Sequence, residues 1–234
     1  MTLTTPRGFW VTGATNGLGM ALANRLLEDG NRVAASVKDA DSLSNLGQRY
    51  GSRLLPLPGS LQQMQSATDA AGEIAARWGS LDTLIINAGT CDYLPEDLHG
   101  SELLAAIATT NRSASEYSLT SALPLLAKGR APQVLVILNH HSARQISDLD
   151  QPAAAGNDLR QWIREQRNAL TKQGISLTLV APQSLDAFAR STKTEPMEWT
   201  PDIAAQKLLE YLPQRRDELV LEAMSVNSLW PLPG

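Results

Sequence analysis

The chain has 234 residues, 43% of them hydrophobic, and its 24 acidic and 20 basic side chains leave a net charge of −4. No Lys/Arg run offers a footprint for a phosphate backbone and no apolar stretch reaches the roughly 20 residues that span a bilayer, so neither nucleic acid nor a membrane is an expected partner. A polar start at Met1 to Arg7 without a signal-peptide pattern, a lone Cys91 and no Ser/Gly-rich linker predict one cytoplasmic domain over 1–234.

The first element is a short apolar strand, Phe9, Trp10 and Val11, which runs into Thr12-Gly13-Ala14-Thr15-Asn16-Gly17-Leu18-Gly19. Leu18, Leu22 and Leu26 then mark one face of a helix. Strand, glycine-rich turn and helix start together bring bare backbone and a helix N-terminus against a phosphate, so a nucleotide site is predicted near residue 13. Further strands are predicted over 33–37, 54–57, 83–86, 134–138 and 177–180, with a seventh over 219–221. Met64, Ala67, Ala71, Ile74 and Trp78 share a helical face between the third and fourth of them. The stretch 142–157 reads as an irregular connection before a helix over about 158–172, and 188–200 as another before a helix that starts near Pro201. Repeated strand–helix alternation predicts an α/β, Rossmann-type, doubly wound parallel sheet of about seven strands in a three-layer α/β/α arrangement.

Four landmarks follow one another in a telling order. They are the G-x-x-x-G-x-G spacing of Gly13, Gly17 and Gly19, Asn87-Ala88-Gly89 after the fourth strand, Asn111 in the next helix, and Val180-Ala181-Pro182 after the sixth strand. In these the chain resembles the short-chain dehydrogenase/reductase (SDR) family over nearly its whole length. The resemblance implies nucleotide binding by Gly13, Thr15, Asn16, Gly17, Leu18 and Gly19 at the phosphates. It implies Asn87, Ala88 and Gly89 on the adenosine side and Pro182 beside the nicotinamide. Asn111 would hold a water of the proton relay through its backbone, or is simply a polar residue satisfied inside a helix. The segment 188–200 would be a short substrate lid. At the end of the second strand, Ser36-Val37-Lys38 lacks the carboxylate that accepts a ribose 2′-hydroxyl and carries a cation suited to a 2′-phosphate. NADP(H) is therefore favoured over NAD(H), beside the reading of Lys38 as a solvated residue followed by Asp39.

The catalytic part of the family pattern is missing. A phenol with an ordinary pKa near 10 works as acid or base at neutral pH only with a cation close by, which is what the family's Tyr-x-x-x-Lys provides. No Tyr-x-x-x-Lys occurs in this chain, and no tyrosine lies between Tyr117 and Tyr211. Counting back about 22 residues from Gly174, or forward about thirteen from Asn139 at the family's serine position, reaches Pro152, which puts Gly156 at the lysine position. Neither residue has a side chain that can donate a proton. Other departures fall near Pro58-Gly59, at Gln183 and at Ala187. Substitute acids or bases are His141, with His140 beside it, and Tyr93 after Cys91-Asp92, each weighed against a plain structural role. No zinc spacing occurs.

In relatives the fourth and fifth helices form the main oligomer interface. Here Arg160, Arg164 and Arg167 make a basic stripe with Glu165 beside it, read as a solvated face or as a match for Glu102 and Glu116 of a partner, which would keep a homodimer. Three functions compete. One is an NADP(H)-binding protein with a degenerate site and a small-molecule ligand. The others are an NADPH-dependent oxidoreductase using His141 or Tyr93, with Asn111 and Asn139 as further candidate site residues, and a non-redox isomerase, dehydratase or cyclase.

Overall fold

The computed structural model describes residues 5–87, 100–138, 159–181 and 199–221. Seven strands make one sheet: β1 (Gly8–Val11), β2 (Arg32–Val37), β3 (Leu54–Pro58), β4 (Thr83–Asn87), β5 (Gln133–Ile137), β6 (Ser176–Ala181) and β7 (Glu218–Val220). All pairings are parallel and the spatial order is β3-β2-β1-β4-β5-β6-β7. Helices α1 (Gly17–Glu28), α2 (Ser44–Tyr50), α3 (Met64–Trp78), α4 (Gly100–Leu126), α5 (Leu159–Thr171) and α6 (Pro201–Tyr211) connect them. This is the doubly wound fold that strand–helix alternation predicts.

Strand residues alternate between two cores. Trp10, Ala34, Leu84, Ile86, Val134 and Val136 face α3, α4 and α5, in a layer shared with Ile74, Leu126 and Trp162. Phe9, Val11, Val33, Ala35, Ile85, Leu135 and Ile137 face the opposite way, in a layer shared with Leu22 and Leu26 of α1 and Leu208 of α6. Burial on both faces explains why the strands read as continuous apolar runs rather than alternating ones. Pro56 and Pro58 fit within β3 because that strand pairs only with β2 at the sheet edge. The α3 stripe differs from expectation at its ends. Ala67, Ala70, Ala71 and Ile74 are buried, whereas Met64 is 42% exposed and Trp78 is partly buried beneath the Arg32 guanidinium, 5.2 Å from its ring.

Strand order reverses at β1, whose neighbours are β2 on one side and β4 on the other. In such sheets ligands bind in the crevice outside the carboxyl ends of the strands at this reversal. At the opposite, amino-terminal edge the packing is tight. A Cβ added to Gly129 would lie 2.0 Å from the Leu81 carbonyl oxygen. Buried Asp82 accepts hydrogen bonds from the backbone N–H of Gly8 (2.8 Å) and of Arg130 (2.6 Å), joining the starts of β1, β4 and β5. Among the described residues, no helix is long and apolar enough to cross a membrane.

Candidate functional site

Each glycine of the first turn has its own physical reason. Gly13 and Gly17 have φ of 60° and 52°, a backbone region that L side chains rarely adopt. Gly19 does not need unusual dihedrals; it needs the missing side chain. A Cβ at Gly19 would stand 1.9 Å from the Gly13 carbonyl oxygen and 2.8 Å from its carbon. The helix start is thus pressed directly onto the turn.

Neighbouring strands hold the turn through neutral hydrogen bonds. Thr12 N–H donates to the Ile85 carbonyl (3.0 Å) and Ala14 N–H to the Ser36 carbonyl (2.9 Å). The Asn87 amide donates to the Gly13 carbonyl (3.0 Å), while Asn87 N–H donates to Thr12 Oγ1 (3.1 Å). Thr15 Oγ1 accepts from Lys38 N–H at 3.0 Å, tying the turn to the end of β2. The Gly13 carbonyl and the Thr12 and Thr15 hydroxyls are therefore occupied by the scaffold. Its N–H groups at the helix start are not: the first intrahelical bond there is Met20 N–H to the Asn16 carbonyl, and the Asn16 side chain makes no cap bond. A helix N-terminus of this kind presents donors and partial positive charge to an anion.

The predicted site residues divide accordingly. Gly13, Thr15, Asn16, Gly17 and Gly19 lie together at the carboxyl ends of β1 and β2 with Asn87. Leu18 belongs to the same turn, but its side chain is fully buried in the core, so only its backbone faces the turn. Lys38 is exposed just past β2. Asp39, the nearest carboxylate to that strand end, accepts from Ser42 N–H at 3.1 Å and caps the short helical turn Ala40–Leu43. Asn111 is buried in α4, where its carbonyl accepts from Ser115 Oγ at 2.5 Å. Ala88, Gly89, Tyr93, Asn139, His141, Pro152, Gly156 and Pro182 lie outside the described residues, as do Cys91, Asp92, His140, Gln183, Ala187 and residues 188–198 of the segment expected to be a lid.

Two residues named in the sequence without a role, Thr12 and Ser36, prove to frame the turn. Thr12 supplies both a donor and an acceptor to β4, and Ser36 supplies its carbonyl to the turn while its hydroxyl accepts from the buried Trp10 indole at 2.9 Å. Their signal is a hydroxyl residue at or near the end of an otherwise apolar strand.

On the helix pair expected at an oligomer interface, the basic stripe divides. Arg164 and Glu165 are exposed, but the Arg167 guanidinium reaches back to donate to the Asp217 carbonyl. Arg112 covers the buried Trp162 ring at 5.4 Å, and its Nε lies 3.6 Å from a Glu116 carboxylate oxygen on the same helix. Glu116 is thus engaged within its own chain, and the side chains of Glu102 and Arg160 lie outside the described set.

The fold and this turn define the class. A model of the short chain dehydrogenase family matches residues 9–198, and the chain belongs to that family. It is similar to a cis-2,3-dihydrobiphenyl-2,3-diol dehydrogenase of Paraburkholderia xenovorans (strain LB400), 28% identical over 202 residues that cover 80% of this chain and 72% of that protein. A short-chain dehydrogenase from Streptomyces avermitilis shares the fold at a TM-score of 0.70 and 17% identity, over 94% of this chain and 89% of that one. A metagenomic short-chain oxidoreductase solved in complex with NADP does so at a TM-score of 0.66 and 20% identity, over 92% and 96%.

Proposed function

We propose that the chain binds a nicotinamide dinucleotide on the 13–19 turn, NADP(H) in preference to NAD(H), and that its catalytic site is degenerate. The observation that carries the binding is the contact between Gly19 and the Gly13 carbonyl, which sets an uncapped helix N-terminus at the crevice mouth where strand order reverses. Residues 13–19 would hold the pyrophosphate with their N–H groups, with Lys38 placed for a 2′-phosphate. Asp39, the carboxylate that follows Lys38, accepts a capping bond from Ser42 N–H through Oδ1. Degeneracy rests on the sequence: Pro152 and Gly156 stand at the family's tyrosine and lysine positions, and the chain contains no Tyr-x-x-x-Lys. A small molecule would occupy the crevice beside the nicotinamide.

Calorimetric titration with NADPH, NADP, NADH and NAD tests this. Micromolar binding of the phosphorylated pair, with weaker binding of the other two, is expected; absence of binding by all four would overturn it. A second reading is favoured by the dehydrogenase relative, similar over 80% of this chain. In it the protein is an active NADPH-dependent oxidoreductase with His141 or Tyr93 as displaced acid or base. Consumption or formation of NADPH with cyclic dihydrodiols or their ketones would establish that reading, and a His141→Ala variant with unchanged turnover would remove His141 from it.

A further inference from the structure

A second anion-binding feature lies at the opposite edge of the sheet, and it does not rest on nucleotide binding. Three guanidiniums gather there, two of them beside the carboxylate of Asp82. The Arg7 side chain donates weakly to Thr83 Oγ1 (3.4 Å) and to the carbonyls of Arg130 (3.5 Å) and Ala131 (3.4 Å). Arg215 comes from the other side, with Nη1 donating to Ser176 Oγ (3.3 Å) and Nη2 to the same Ala131 carbonyl. Arg130 donates to the carbonyls of Thr5 (3.3 Å) and Pro6 (2.9 Å) and lies 3.8 Å from Asp82.

Among the described residues, Asp82 is the carboxylate that pairs with Arg7 and Arg130, and it already accepts from two backbone N–H donors. Two cations therefore converge on one neutral oxygen, that of an exposed residue. A guanidinium carries five N–H donors; Arg7 donates here through Nη2 alone and Arg215 once through each Nη, so donor capacity is left on both. Burial pulls the Arg7 guanidinium below its ordinary value; Asp82 opposes that shift, and Arg215 and Arg130 add to it. The helices that end at this edge offset part of the charge through their negative poles. They do not explain why two guanidiniums share one carbonyl. Of the residues flanking the convergence, Ala131 holds a positive φ of 49°, which non-glycine residues rarely adopt, while Arg215, at 51°, is the left-handed cap of the short helical turn Leu212–Gln214.

The geometry points to an oxyanion site at the Ala131 corner, in which Arg7 and Arg215, with Arg130 beside them, clamp a phosphate-like group and lock the starts of β1, β5 and β6. Planar forked donors suit such oxygens better than ammonium groups do. The ligand class is a multiply charged oxyanion, free or as part of a larger molecule.

Tripolyphosphate titrated at constant ionic strength, with sodium chloride as the balancing salt, is the probe. Thermal unfolding of the full chain should shift up by about 2–5 °C at tenfold excess over the dissociation constant, and Arg215→Gln should lose at least half of that shift. Amide NMR on the unmodified protein supplies a readout that no variant can confound. Perturbations centred on Ala131, Ser176 and Arg215 support the site. Perturbations confined to 13–19, with the full thermal shift kept in Arg215→Gln, would assign the anion to the nucleotide turn and overturn it. No shift and no perturbation would overturn it too.

Discussion

The two ends of the sheet solve the same packing problem with opposite chemistry. Each has a glycine jammed against a carbonyl: Gly19 on Gly13 at the carboxyl end, and Gly129 on Leu81 at the amino end. Around Gly19 the fixing bonds are neutral, from Thr12, Thr15, Ser36 and Asn87, and the helix N–H groups stay available. Around Gly129 they are ionic, with buried Asp82 among Arg7 and Arg130. The difference teaches that the same close packing can be held by neutral bonds that leave backbone donors available, or by charged side chains gathered around a buried carboxylate. A carboxylate such as Asp82 at the first turn would repel the phosphate proposed to bind there.

Mutations can break this contrast in order of expected effect. Asp82→Ala strands two backbone donors and removes the counter-charge of Arg7, and should lower stability by about 3 kcal/mol in urea unfolding while leaving cofactor affinity of the folded protein unchanged. Gly19→Ala forces the helix start off the turn, which should cost about 2 kcal/mol in the same assay and also weaken NADPH binding at least about tenfold by calorimetry. If Gly19→Ala lost stability and kept its affinity, the turn would be architecture only.

Smaller effects sharpen the cofactor end. Lys38→Glu should reduce the preference for NADPH over NADH by about tenfold, read as a ratio of dissociation constants with the fold unchanged by circular dichroism. The smallest effect is at Glu210, whose carboxyl is held below its usual range by side-chain hydrogen bonds from Lys207 and Gln206. A depressed folded value stabilises above the unfolded pKa and is lost as pH falls through the folded one. Glu210→Gln should therefore melt slightly lower than the parent at neutral pH, and the two curves should meet in acid below the ordinary carboxylate range.

The sheet was legible because its strands are buried on both faces and punctuated by Gly and Asn; observed ends fall within one residue of expectation for every strand named after the first. The α3 stripe misled at Met64 because periodicity marks a face without saying where the covering layer stops. Arg167 misled in the same way, since its reach to Asp217 depends on a strand 50 residues later. The turn's function-bearing glycines were readable one by one, but not their different reasons.

What the sequence alone determined is the order of elements, the family and the absence of any Tyr-x-x-x-Lys spacing, since these are local patterns and residue identities. Only the tertiary structure decided that Asp39 is spent on a cap, that Gly19 works by contact rather than by φ, and that Arg7 and Arg215 meet on one carbonyl. Those facts depend on distances between residues remote in the chain, which strand order and helix packing set and no local pattern encodes.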